Sequence, residues 1–177
     1  MQLSKSGYYA DFVVYPALIA GLVAFEAWEM KPWRPPLAFL TLCLVGILSW
    51  TLFEYLLHRF LLHEVPILEE MHEAHHANPT ALNGTPSWLS LTVGVLGILL
   101  PLWWAFGFED ASALTTGLMT GYLAYVTVHH ICHHWHLKPG SWLYGLKHRH
   151  ARHHFSKKPG NFGVTTNFWD FVFQTRL

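Results

Sequence analysis

Almost all of the 14 histidines in this 177-residue chain fall into four tight groups. They read HRFLLH (His58, His63), HEAHH (His72, His75, His76), HHICHH (His129, His130, His133, His134) and HRHARHH (His148, His150, His153, His154), with only His136 apart. Neutral imidazole ligates metals through either ring nitrogen, and side chains at i, i+3 and i+4 share a helix face, so HxxHH and HxxxH each present a chelating stripe. A single pair at i, i+4 is more often an interfacial or hydrogen-bonded pair than a metal site. Four groups together change that balance, because clustered imidazoles without a metal lose hydration and repel one another when protonated. They supply more nitrogens than the roughly four to six ligands of one ion, which argues for two metals. Softness admits Fe, Zn, Cu or Ni and does not choose among them.

Spacing leaves two points open. His58 and His63 are five apart, about 140° around an ideal helix, so they serve adjacent metals, or one metal if the helix ends between them. In the third group His129/His133 and His130/His134 are both i, i+4 pairs, displaced by about 100°.

The elements that must carry these groups are apolar. Only 12% of the residues are charged, against about a quarter in a typical soluble domain, so water is not the main solvent. Four stretches, about Tyr8 to Trp28, Pro36 to Leu57, Ser87 to Phe108 and Ala111 to Val128, each approach the ~20 residues that span a bilayer core. The expected fold is all-α: one integral-membrane domain over residues 1–177, with four transmembrane helices and a cytoplasmic, histidine-rich helical cap. Asp11 interrupts the start of the first stretch and no A-x-A site follows, so it is expected to stay as an anchor. Four spans place nine basic residues (Lys5, Arg59, Lys138, Lys147, Arg149, Arg152, Lys157, Lys158, Arg176) on one side against Lys31 and Arg34 on the other, which makes the histidine side and both termini cytoplasmic. A minimal chain without an appended domain fits a bacterial inner membrane.

The spans are joined by a proline-stopped turn over Glu29 to Pro35 and a tight one around Gly107 to Asp110. Helical spacing over Glu64 to His76 ends at Asn78-Pro79, a basic amphipathic helix follows Pro139-Gly140 through Phe155, and the aromatic ending NFGVTTNFWDFVFQT is too short to span. Trp28, Trp33, Trp88 and Trp103 read as interfacial anchors. Cys43 and Cys132 are isolated, which supports neither a disulfide framework nor an iron–sulfur site. No recognition module accompanies the basic run, so nucleic acid is not an expected partner. A metal transporter would place ionisable groups near the midplane, whereas these histidines follow the span ends. A catalytic zinc usually needs only three protein ligands.

HxxxxH, HxxHH, HxxxH and HxxHH in this order, with two spans between the second and third, resemble the fatty acid hydroxylase and sterol desaturase superfamily of membrane di-iron oxygenases. The ending is similar too, and the resemblance runs from about Trp50 to Thr175. It implies as metal ligands His58, His63, His72, His75, His76, His129, His133, His150, His153 and His154; the third pair is chosen because Tyr125-x-x-x-His129 resembles the family's lead-in. Among the extras, His130 and His134 are expected as hydrogen-bonding partners around the ligands. Glu54, one turn before His58, is expected to accept an N–H from a ligating imidazole. Asp170 is expected either there or as a loop tie, and Glu69 and Glu70 on a solvated face.

The resemblance further implies two iron ions, O2 as co-substrate and hydroxylation of an unactivated C–H bond of a membrane lipid, fatty acyl or sterol-like. Desaturation and carotenoid ring hydroxylation are the nearest alternatives on the same centre; a membrane metal-binding or transport protein is the alternative of another class. The chain has no flavin motif, cysteine cluster or haem attachment motif, so electrons are expected from a separate ferredoxin or cytochrome b5-type protein with its reductase. Lys147, Arg149, Arg152, Lys157 and Lys158 are the candidate docking residues, with anionic lipid headgroups as the competing partner.

Overall fold

The computed structural model describes residues 1–29 and 35–177; Lys31, Trp33 and Arg34, and most of the predicted first turn, lie outside the described residues. Within them the chain folds as α1 (Lys5–Trp28), α2 (Pro36–Glu64), α3 (Pro66–Ala77), α4 (Ser87–Phe106), α5 (Phe108–His134), α6 (Trp142–Phe155) and α7 (Phe168–Val172). No strand occurs among the described residues, only an isolated bridge between Gln2 and Asn83. Local chemistry sets the boundaries. Ser4 and Ser141 hydroxyls accept the backbone N–H of Gly7 and Tyr144 at the starts of α1 and α6, each at 3.1 Å. Pro36 and Pro66 open α2 and α3, where a missing N–H costs nothing. Gly107, at φ +85, takes the left-handed conformation that separates α4 from α5 in one residue.

Helices α1, α2 and α4 are long and apolar enough to cross a membrane. The fourth expected span falls within α5, whose 27 residues include Ser112, Thr115, Thr116 and Thr120 and end in four histidines, which dilute its apolar character.

Two compact units divide the chain. One comprises Leu3–Trp50 and Gly84–Leu123. Leu37, Leu40, Leu44 and Leu48 form an exposed stripe at helical spacing along α2, as a lipid-facing surface requires. Where α2 crosses α5, glycines let the backbones touch: a Cβ on Gly117 would overlap the Cys43 carbonyl, one on Gly46 would lie 2.9 Å from Gly117 Cα, and one on Gly121 would run into the Trp50 side chain. Asp11, read from sequence only as an interruption, is buried and accepts from the Tyr122 hydroxyl at 2.6 Å and the Ser87 hydroxyl at 2.5 Å. The Tyr15 ring packs against that of Tyr122, tilted by 47° with centroids 4.6 Å apart, and its hydroxyl donates to Ser90 at 2.9 Å. Ser112 donates to the Glu26 carboxylate. Pairing of this kind is what a carboxylate within an apolar helix needs.

The other unit comprises Met1–Gln2, Thr51–Asn83 and Ala124–Leu177 and holds the histidines. Its apolar core is Val128, Cys132, Leu146 and Val164, flanked by Tyr125 and Leu143. The aromatic ending packs into this unit: Trp169 Nε1 donates to Thr51 Oγ1 at 3.0 Å, and Phe173 stacks on the fully buried Tyr55 at 5.2 Å.

Candidate metal centre

The two histidines that ideal helix geometry separates meet because α2 changes pitch between them. Residues Leu57–Leu61 form a π turn, in which the Leu62 N–H bonds to the Leu57 carbonyl five residues back. The wider turn carries residues five apart onto nearly the same side, and the His58 and His63 rings stack with centroids 5.3 Å apart. The helix need not end for the two to share a site.

Ten imidazoles gather in two sets of five, each with its ligand atoms within 4.8 Å of one another: His58, His63, His72, His76 and His153, and His75, His129, His133, His150 and His154. These are the ten positions the resemblance carries over. Every i, i+4 pair stays together (His72/His76, His129/His133, His150/His154), since such residues share a helix face. The middle histidine of each HxxHH box crosses over: His75 of α3 joins the α6 pair, and His153 of α6 joins the α3 pair. The two sets share a wall where the His76 and His154 rings stack at 4.2 Å.

The donor set fits cations. In the first set the Nε2 atoms form a chain, His58 to His72 at 3.0 Å, His72 to His76 at 3.0 Å, His76 to His153 at 3.1 Å and His153 to His63 at 3.3 Å. In the second the chain runs His75, His129, His133, His150, His154 at 2.8 to 3.1 Å. A ring nitrogen either donates its one hydrogen or accepts through its one lone pair, so hydrogen bonding satisfies the members of such a chain only in pairs. In the first set the far sides of two rings fix the tautomer: His58 Nδ1 lies 2.6 Å from the Phe162 carbonyl and His153 Nδ1 lies 2.9 Å from the Gly160 carbonyl. A carbonyl only accepts, so each Nδ1 carries the proton and each Nε2 offers a bare lone pair inward. The Phe162 ring, 5.5 to 5.9 Å from the rings of His58, His63 and His153, covers that side.

Sequence reasoning missed Gly160 and Phe162 because backbone carbonyls carry no residue signature. It also misplaced Glu54. This buried carboxylate accepts from Val164 N at 2.6 Å, Thr165 N at 2.9 Å and Thr165 Oγ1 at 2.5 Å; the acceptor for His58 is the Phe162 carbonyl. Asp170 ties the loop rather than a ligand, accepting from Phe162 N, Gly163 N and Thr175 Oγ1. His130 and His134 stack on each other at 4.5 Å and lie in neither set. The His129 ring stacks on Tyr125 at 5.7 Å. Of the candidate docking residues, Arg152, Lys157 and Lys158 are exposed, Lys147 donates to the Trp135 carbonyl at 2.8 Å, and Arg149 is half-buried. Glu69 and Glu70 are exposed, as expected.

Burial holds five imidazoles of α3 and α6 neutral: it lowers His75 to about 4, His153 to about 3 and His154 to about 2 from the usual 6.5, and drives His72 and His150 down as well. With the folded values below the unfolded one, the unfolded chain binds more protons at acid pH. The contribution of these imidazoles to the stability of the metal-free protein is therefore full above pH 6.5 and falls as pH drops from 6.5 toward 4. Thermal unfolding in detergent across that range measures the slope.

The chain is similar to known proteins along most of its length. The family model described as fatty acid hydroxylase matches residues 43–175. The fatty acid 2-hydroxylase of Macaca fascicularis is 34% identical over 155 residues, 81% of this chain and 41% of that protein. The ceramide very long chain fatty acid hydroxylase of Saccharomyces cerevisiae is 36% identical over 151 residues, 75% of this chain and 37% of that protein. The solved structure of full-length scs7p, with only its hydroxylase domain visible, superposes with a TM-score of 0.80 at 28% identity and covers 97% of this chain and 67% of that one. The chain spans about two-fifths of the length of these curated relatives. With two five-imidazole sets carried on helices and a match over residues 43–175, the chain belongs to the fatty acid hydroxylase family.

Proposed function

We propose that the chain is a membrane di-iron hydroxylase acting on the fatty acyl chain of a membrane lipid, with C2 as the position its relatives' names indicate. The observation that carries the reading is the pair of adjoining five-imidazole sets in a member of this family. The net reaction is R–H + O2 + 2 e⁻ + 2 H⁺ → R–OH + H2O. One iron would be held by His58, His63, His72, His76 and His153, the other by His75, His129, His133, His150 and His154. When bound, an iron pair supplies the two-electron chemistry with O2 that attacks an unactivated C–H bond. The residues of the chain do the rest. The Gly160 and Phe162 carbonyls keep protons on Nδ1 of His153 and His58, and the Phe162 ring keeps water from that side. Residues 1–177 act as one integral-membrane domain, with α5 as a fourth span and the termini and histidines cytoplasmic, in keeping with the basic-residue bias.

Electrons come from a separate ferredoxin or cytochrome b5-type protein. Exposed Arg152, Lys157 and Lys158 provide the docking charge, with Lys147 and Arg149 at its edge. Reversing Arg152, Lys157 and Lys158 to Glu lowers donor-dependent turnover about tenfold at low salt, with metal content unchanged. Equal turnover with the acidic donor removes the docking role.

The reading is tested by expressing the protein in iron-57 medium, recording Mössbauer spectra in mild detergent and analysing lipid products with O2 and an electron donor. About two irons per chain with a 2-hydroxy acyl product supports it. Stoichiometric zinc from iron-replete cells, with no product after iron reconstitution, overturns it in favour of a hydrolytic or structural site.

A further inference from the structure

The two imidazole sets are built alike on the side that faces inward and unlike on the side that faces out. In the first set, Nδ1 of His58 and of His153 each meets a backbone carbonyl of the same loop, Phe162 and Gly160. In the second, Nδ1 of His75, His150 and His154 is buried with no hydrogen-bond partner among the described residues. A ring that ligates through Nε2 must keep its proton on Nδ1, so an acceptor there orients it before any ion arrives, and its absence leaves a buried N–H unsatisfied.

The loop that supplies the two carbonyls is itself clasped. Asp170, 1% exposed, accepts the N–H of Phe162 and of Gly163 at 2.9 Å each and the Thr175 hydroxyl at 2.7 Å. The Thr175 carbonyl accepts Asn161 N at 2.9 Å, and Asn161 stands at φ +55, a conformation asparagine tolerates better than most residues. Glu54 holds the next two residues through Val164 N and Thr165 N. A Cβ on Gly163 would overlap the Thr166 carbonyl oxygen and lie 3.0 Å from Asp170 Oδ2, so only glycine lets the loop close this tightly around the carboxylate. The last stretch of the chain is thus closed on the loop from both sides.

We infer that this clasp makes the two metal positions unequal: the first set fills first and binds more tightly, and Asp170 is the positioning residue that secures it. The inference rests on the metal reading above and deepens it. Outer hydrogen-bond partners of ligating histidines are worth about 10- to 100-fold in metal affinity each, so the two positions should differ by at least about tenfold.

The test titrates metal-free full-length protein in detergent with cobalt(II), followed by its visible absorption against a competing chelator. Two steps at least about tenfold apart are expected. His76→Ala weakens the tight step and His154→Ala the loose one. In Asp170→Asn, whichever way the amide sits, one backbone N–H faces an NH2 group, and the tight step weakens by about tenfold while the loose step and the helical circular dichroism stay as they were. Two steps of equal affinity overturn the inference, as does Asp170→Asn weakening both alike, which would mark a merely structural role. Absence of cobalt uptake at either position overturns the metal reading itself, and this inference with it.

Discussion

Replacing His150 with alanine is expected to cut lipid hydroxylation by more than about 100-fold, beyond the about 10- to 100-fold typical of an outer partner, and to remove one of the two metals. His150 is 3% exposed, with Nε2 2.8 Å from His133 and 3.1 Å from His154, so its loss opens a gap in the middle of the second set. The first set contains none of its contacts through Nε2 and should keep its ion. Metal analysis beside product quantification checks both statements. His136, exposed and outside both sets, is the control, and His136→Ala should retain activity and metal. Equal activity in His150→Ala would remove the second set from the chemistry.

The second large effect lies at the crossing of α2 and α5. A side chain at Gly117 meets the Cys43 backbone, with Cys43 Cα 2.9 Å from the new Cβ, and backbone cannot swing away as a flexible side chain can. Gly117→Leu is expected to cost at least about 3 kcal/mol, the upper range for overpacking, and to appear as lost thermal stability and aggregation in detergent. Gly21→Ala, where a Cβ meets nothing within 4 Å, should be neutral or stabilising, because Ala gains about 0.8–1 kcal/mol of helix propensity over Gly. Equal melting of both variants would show that the crossing tolerates separation.

Much of the site was legible in the chain because its spacing is helical. Pairs at i, i+4 lie on one face whatever the fold, so His72/His76, His129/His133 and His150/His154 are bound to stay together. The choice between His129/His133 and His130/His134 came from resemblance alone. In the structure the first pair turns into the second imidazole set, and the second pair stacks outside both sets. Of the two carboxylates, Asp170 takes the loop-tie role that the sequence allows, while Glu54 does not meet its expected histidine. A carboxylate one turn from a histidine has an obvious local partner, but Glu54 is satisfied by Val164 and Thr165, 110 and 111 residues away. Pairing over that separation leaves no periodic trace. Asp11 is similar: its partners Ser87 and Tyr122 lie 76 and 111 residues on.

By itself, the sequence determined the all-helical character, three of the four long apolar spans it suggested, the turns at Gly107 and before Trp142, and the histidine stripes. Each follows from composition or from the helical repeat, which act over a few residues. The tertiary structure alone decided three things. A π turn brought His58 and His63 into one set, although ideal geometry holds them about 140° apart. The middle histidines His75 and His153 exchanged between α3 and α6, because adjacent residues point about 100° apart and the facing helix fixes which set each joins. The loop carbonyls of Gly160 and Phe162 came to the back of His153 and His58, because Asp170, Glu54 and Thr175 close the chain's last stretch over them. Main-chain acceptors are the same in every residue, so only the fold can say which of them a histidine will meet.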